Sequence, residues 1–496
     1  MEDWEHNAES QPDQASIDMR LGNIRHGSEP WRSLLVVLTV VASLVAGASY
    51  LAYASPLSPL IVGGVLAAIA LGFVWLQKPV WALYAAIFVT LLPEGILSVD
   101  NFSILKNSLL FIALGAWLLD VTAHRRRIIW SSTALFMLGF VAWATISLFW
   151  APHLDLGIER LVQYALRLIL FFILIGNEIT TRETLDGLMR TLAISGWILV
   201  VAGVATILFD GYEAGTRLKV FGEQVNRLGY WLIIMMPGVL WQAITASRRQ
   251  KSLQMALSSI YVLLAILLVA LSGSRGSAIS LFAALLAFIF WKPTRFWGTL
   301  GLITLAVVAI LAPFILSATT ERFVEQSSGL LGGRIPLWRA AMMLIRDHPW
   351  NGVGIGNSPV AVMPYLERLV GVYKEATAAI HNPLLAVWAE TGIPGTLLYL
   401  GVLGTAIWSF IRWGYRRGWV REPLPRAYLA LVSSTFLGYM LSWVKVGGIE
   451  YHRSYYFVLA LLLIPAHLGV DGFRHRAEAD ARGGRSAYQR VQVPEL

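Results

Sequence analysis

The chain has 496 residues, of which 56% are apolar and 14% charged, with a mean hydropathy of +0.62. Soluble proteins carry roughly 25% charged residues, so the composition excludes an ordinary water-soluble enzyme and points to a chain lying mostly in lipid. The formal charge is +9, and the absence of cysteine excludes disulfides, thiolate nucleophiles and cysteine-ligated metals.

Residues 1–33 read as a polar cytoplasmic tail, since no basic n-region with a cleavage site is present. From Ser33 to Gln77 there is no charge. That stretch is too long for one membrane helix, and Pro56 and Pro59 mark a hairpin between two. Expected spans follow at 34–54, 60–76, 80–98, 104–121, 128–149, 159–177 and 191–209, then at 229–246, 253–272, 277–291 and 296–316. A loop at 317–383 precedes the last three spans, 384–411, 427–444 and 451–468, and residues 469–496 form a second, basic cytoplasmic tail. The expected fold is therefore an all-α polytopic membrane protein of about 12–14 transmembrane helices. Spans 80–98, broken by Pro93 and Glu94, and 277–291 are the weakest.

Arg and Lys set the orientation. Lys78, Arg125–Arg127, Arg182, Arg190, Arg248, Arg249, Lys251, Lys292 and Arg295 all fall in short loops on the side of the N-terminus, and the alternate short loops are sparse in them. Loop 317–383 then lies on the outer face, and the basic excess is a topology device, not a nucleic-acid surface. The 20 Trp and 17 Tyr suit many membrane interfaces.

Four groups of polar residues exceed what topology needs. Arg160 and Arg167 lie seven apart near one helix face, with Arg167 about 10 Å deeper. Arg167 must snorkel, pair or line a wet cleft. Arg227 stands just before the span at Gly229, where a guanidinium fork meets a phosphate at headgroup depth. Arg275 lies in the turn Ser272-Gly-Ser-Arg-Gly276, whose exposed amides suit an anion. In the outer loop, Trp338, Ala341, Met342 and Ile345 outline the apolar face of a short amphipathic helix, and Arg339 and Arg346 another side. Pro336 suits its first turn and Pro349 its end. Gly352, Gly354 and Gly356 lack the spacing of a dinucleotide fingerprint and read as a flexible, close-packing turn.

Asn382 is a good N-cap and Pro383 a good first-turn residue, so a helix should begin there, with His381 just outside its N-terminus. The positive dipole end disfavours imidazolium and keeps the ring a proton acceptor. Glu390, inside the entering span, needs a partner or an interior position, and Gly392, Pro394 and Gly395 should kink the helix. Arginines that neutralise a phosphate leaving group, and a neutral histidine that takes a hydroxyl proton, suit glycosyl transfer from a lipid diphosphate on the outer face. A solute or anion transporter with an Arg-lined cavity is the contrasting class.

These stretches resemble the O-antigen ligase and polymerase superfamily of bacterial inner-membrane enzymes. The resemblance rests on Arg227-Leu-Gly-Tyr, Leu271-Ser-Gly-Ser-Arg-Gly276, Gly333-Arg334, Leu337-Trp-Arg-Ala340 and Asp347-His-Pro349, and on Gly352-Val-Gly-Ile-Gly-Asn357. The ligase motif reads His381-Asn382, nine residues, then Gly392-Ile-Pro-Gly395. It implies a C-type-glycosyltransferase-like fold with a large periplasmic loop and a metal-independent, inverting transfer without a cofactor. The implied donor is an undecaprenyl-diphosphate-linked glycan, and the acceptor is lipid A-core or a growing glycan. His381 is then the base and Arg227, Arg275 and Arg334 grip the diphosphate, with Arg167, Arg339, Asn382 and Glu390 as supporting candidates. Gly238 after Pro237, and Pro383 after His-Asn, depart from the usual pattern and would reshape acceptor access.

Overall fold

In a computed structural model, residues 75, 78–92, 99–209, 217–220, 225–315, 334–371, 377–415, 422–443 and 452–468 are described. The expected tails, the span 34–54, nearly all of 60–76 and most of the loop 210–228 lie outside them. The chain divides into two units. In the first (Met1–Lys78 with Leu118–Arg126), Asp120 takes contacts of 3.0 Å from both His124 Nδ1 and Arg126 Nη1. The second unit holds every residue of the candidate site described below.

The described residues form helices and no strands, as lipid demands of a chain that must satisfy its own backbone. In order they are α1 (Pro79–Leu91), α2 (Val99–His124), α3 (Ser132–Ser147), α4 (Leu154–Arg167), α5 (Arg182–Phe209), α6 (Val225–Thr245) and α7 (Lys251–Leu271). Then come α8 (Arg275–Ile289), α9 (Arg295–Ile315), α10 (Arg334–Asp347), α11 (Met363–Val370), α12 (Pro383–Phe410), α13 (Pro423–Trp443) and α14 (Arg453–Leu468). Among the described residues, six segments are long and apolar enough to cross a bilayer: Leu105–His124, Ser132–Trp150, Arg182–Phe209, Arg227–Thr245, Lys251–Leu271 and Pro383–Tyr415. The protein is an all-helical, multi-pass membrane protein. α6 is apolar on every side and buried along most of its length between α5, α7, α8 and α13, so it is the central helix of the bundle. Its Gly238 sits against Met189 and Leu192 of α5. α12 packs on α3 and α14.

Two details differ from the sequence reading. Arg227 stands inside the first turn of α6, which starts at Val225 and not at Gly229. The buried stripe of α10 is Leu337, Ala340, Ala341, Leu344 and Ile345, while Met342 is 37% exposed. The stripe follows the i, i+3, i+4, i+7 rule, but two alanines occupy its centre because α11 and α12 press close there. Arg339 falls on the opposite, exposed side, whereas Arg334 lies one turn before Leu337 on the inward side.

The expected kink in α12 is a break. Gly392 has φ +64° and ψ −167°, dividing the helix into an entry half carrying Asn382 and a membrane half beyond Ile393. Segment 349–357 lodges in the break. Val353 N–H donates to Ala389 O (2.8 Å), Gly354 N–H to Glu390 O (2.9 Å) and Trp143 Nε1–H to Thr391 O (2.8 Å). Ile393 N–H donates to Pro349 O (3.0 Å). The backbone groups released by the break are thereby paired. Contact is so close that a Cβ on Gly392 would meet Trp350 O at 1.9 Å, and one on Gly352 would meet the Glu390 carbonyl carbon at 2.4 Å. Gly392→Ala combines that clash with a left-handed backbone. It is expected to destabilise the protein by more than about 1 kcal/mol, read as a lower unfolding temperature in detergent, whereas Gly404→Ala, facing open space, leaves it unchanged.

Candidate functional site

His381 is placed by the cap of α12. The Asn382 side-chain oxygen accepts from Leu384 N–H (3.1 Å) and Leu385 N–H (3.3 Å), and Pro383 supplies the first helical residue. His381 itself adopts φ +55°, a left-handed conformation that non-glycine residues adopt at a cost of about 1 kcal/mol or more. Its Nδ1 is buried and carries no hydrogen bond. Burial, and then the charge of Arg334, hold its pKa below the usual histidine value. The ring is therefore neutral near pH 7, with one nitrogen unengaged. Arg334, which opens α10 on its inward side, has its own pKa lowered by burial.

The entry half of α12 is fixed from below by Glu390, which is 1% exposed. Its Oε1 accepts from Ser358 Oγ–H at 2.8 Å and lies 3.6 Å from Arg160 Nη1. Glu390 thus finds in Arg160 the partner that its depth requires. The turn is also held by the buried Asn357. Its Oδ1 accepts from His153 N–H (2.8 Å), and its Nδ2 donates to His153 O (3.2 Å) and Ile355 O (2.9 Å). The glycine motif is therefore a clasp between the loop before α4 and α12, rigidly held and not flexible.

The other expected cations gather elsewhere. Arg227 and Arg167 bear electrostatically on His452, together with Arg453 and Lys106. Arg167 closes α4 where the chain widens into a π-helix, Leu168–Leu174, a distortion that recurs at functional sites. Gly229 of α6 touches Ser277 of α8, which brings Arg227 and Arg275 to neighbouring helix ends. Ser274 caps α8, its Oγ accepting from Ser277 N–H at 3.3 Å, and Arg217 Nε–H donates to Ser272 O at 3.0 Å. The expected single cluster is thus resolved into Arg334 beside His381 and a second group around His452, while Arg339 is exposed. Sequence reasoning missed His452, Arg453 and Lys106. The available signal was a charge at the mouth of a span, which snorkelling residues imitate.

Residues 260–400 match the family described as O-Antigen ligase. That stretch is similar to the O-antigen ligase family. The matched stretch runs from α7 into α12 and takes in Arg275, Arg334, His381, Asn382, Glu390 and the clasp. The chain is also 24% identical over 459 residues to the teichuronic acid biosynthesis protein TuaE of Bacillus subtilis (strain 168), covering 84% of this chain and 91% of TuaE. Within the matched stretch, then, lie both His381 and the helix break that positions it, whereas Arg167, Arg227, His452 and Arg453 lie outside it.

Replacing Arg334 by Gln removes a repulsive charge beside His381, so the histidine pKa rises. The acid limb of a kcat–pH profile is expected to move upward from its position below about 6.5, and an unmoved or lowered limb contradicts the pairing. Breaking the Arg160–Glu390 contact with Glu390→Ala is expected to cost about 3 kcal/mol. The double variant with Arg160→Ala should lose clearly less than the sum of the singles, as measured by a double-mutant cycle on unfolding free energy.

Proposed function

We propose that the protein moves a glycan from an undecaprenyl-diphosphate carrier to lipid A-core or a related acceptor on the periplasmic face of the bacterial inner membrane. The match of residues 260–400 to the O-antigen ligase family and the likeness to TuaE support glycosyl transfer in polysaccharide biosynthesis at the coarse level. The observation that carries the finer reading is His381: a neutral ring with a buried, unengaged Nδ1, held outside a helix N-terminus beside one arginine. In the proposed step an acceptor hydroxyl oxygen attacks the anomeric carbon of the donor glycan, and a ring nitrogen of His381 takes the hydroxyl proton. The bond from that carbon to the diphosphate oxygen breaks, and the electron pair leaves with the diphosphate, whose charge the arginines neutralise without a metal. Attack opposite the leaving group inverts the anomeric centre. The positive-inside pattern supports the periplasmic placement.

The likeness to TuaE, spanning nearly its whole length, favours a second reading with the same donor chemistry: extension of a growing O-antigen or exopolysaccharide. Donor transfer to lipid A-core is to be compared with transfer to a second lipid-linked glycan, using purified protein with and without EDTA. His381→Ala is expected to lower transfer at least about a hundredfold, with membrane insertion intact and no effect of EDTA on the unmodified protein. Full activity of His381→Ala would remove the proposed base. Solute uptake that survives this substitution, without glycan transfer by the unmodified protein, would favour a transporter.

A further inference from the structure

α5 and α7 both pack on α6 and meet each other where Gly203 lies against Leu268. A Cβ on that glycine would fall 2.8 Å from the Leu268 methyl carbons. Trp197 of α5 meets the Tyr261 ring of α7 edge-on at 5.7 Å. Towards the turn 246–250, which joins α6 to α7, the two helices splay and leave a groove of about 610 Å³. Ile194, Trp197 and Val201 of α5 form one wall and Leu257 of α7 the other. Two polar side chains line the same groove, Gln242 of α6 and Gln254 of α7. Gln242 Nε2–H donates weakly to Gly238 O at 3.4 Å, and the side-chain amide of Gln254 makes no hydrogen bond among the described residues.

Four exposed cations stand at the mouth of this groove. Arg190 lies one turn before Ile194 on α5, Arg248 and Arg249 occupy the turn, and Lys251 lies one turn before Gln254 on α7. Among the described residues none of the four is held in an ion pair. Asp186, one turn before Arg190, is engaged by Arg182 (2.8 Å) and by Trp241 Nε1–H (2.8 Å). The positive-inside rule accounts for basic residues at this end, but not for a concave apolar wall with amides beneath them. From Ile194 to Val201 the wall rises about 10 Å, within the roughly 15 Å of hydrocarbon that one leaflet supplies. The groove therefore matches an acyl chain of the near leaflet. An amide facing hydrocarbon is costly without a partner, and the ester oxygens of a phospholipid accept from it at this depth. Four cations above those esters select a headgroup of net negative charge.

We infer that this groove is a binding site for one anionic phospholipid of the cytoplasmic leaflet. One acyl chain lies between α5 and α7, the ester oxygens meet Gln242 and Gln254, and the phosphodiester meets Arg190, Arg248, Arg249 and Lys251. The site is at the opposite end of α6 from Arg227, about 22 Å away along the helix, and does not rest on the glycosyl-transfer reading. A lipid held there bridges α5 and α7 and stabilises the bundle by mass action.

The test is native mass spectrometry of the full chain in neutral detergent, titrated with phosphatidylglycerol and, separately, with phosphatidylethanolamine. One phosphatidylglycerol should be retained saturably, with a Kd at least about tenfold below that of phosphatidylethanolamine. Replacing Arg248, Arg249 and Lys251 together by Gln is expected to raise that Kd about tenfold to a hundredfold. Attraction to a basic surface without a site would respond in the same way, so a second variant separates the two. Leu257→Trp keeps every charge and fills the groove; it should raise the Kd about tenfold, whereas surface attraction leaves it unchanged. If the charge variant does not insert, Gln254→Leu takes its place: a Kd raised several-fold supports the site, and an unchanged one overturns it. Equal retention of the two lipids, binding without saturation, or an unchanged Kd in Leu257→Trp overturns the inference. The occupant in bacterial membranes is identified by photo-crosslinking from benzoylphenylalanine placed at Val201. Adducts enriched in anionic phospholipid over the bulk membrane support the site. Adducts of bulk lipid composition, or with a prenyl phosphate, residues 34–76 or a second copy of the chain, overturn it.

Discussion

A membrane helix that stops short and restarts exposes backbone groups that lipid cannot satisfy. α12 meets that constraint at Gly392 by accepting a loop into the gap: Val353, Gly354 and Trp143 donate to Ala389, Glu390 and Thr391, and Pro349 accepts from Ile393. The entry half of the helix becomes a rigid post, and the residue at its tip is His381. Glycines at 352 and 392 are what allow two backbones to approach this closely. The break, the clasp and the placement of the histidine are one structural unit, with Glu390, Ser358 and Arg160 holding its base.

Electrostatics divides the polar end of the bundle into two parts. At His381 the charge of Arg334 adds to burial, and both disfavour imidazolium. At His452, by contrast, the ring is held among Trp231, Tyr230 and Ser454, and Arg453 beside it stands over Trp231 and donates to Leu92 O.

Much of this was legible in the residues. Hydropathy gave the helical membrane fold, Asn382-Pro383 gave the start of α12, and Gly392 with Pro394 gave its interruption, because caps and breaks are local. The depth of Glu390 required a partner, but its identity as Arg160 depends on a contact across 230 positions of sequence, which no local pattern encodes. The expected face of α10 held at Ala341 and Ile345, which are buried, and at Trp338, which packs against the same core, but failed at Met342, whose place in the contact is taken by Ala340 and Leu344. Arg334, Arg227 and Arg275 were recognised as cations at one end of the bundle, yet their division between two groups is tertiary. Arg453 escaped because an arginine at the mouth of a span reads as a common anchor until its burial is known.

The account stands on segment 349–357 being locked into the broken helix. Hydrogen exchange of the backbone amides in the membrane-embedded protein measures that directly. Val353, Gly354 and Ile393, whose N–H groups are committed to the break, should exchange as slowly as amides within the transmembrane helices. Exchange of those three amides at the rate of an open surface loop would mean that the clasp does not hold, and that His381 is not fixed by it.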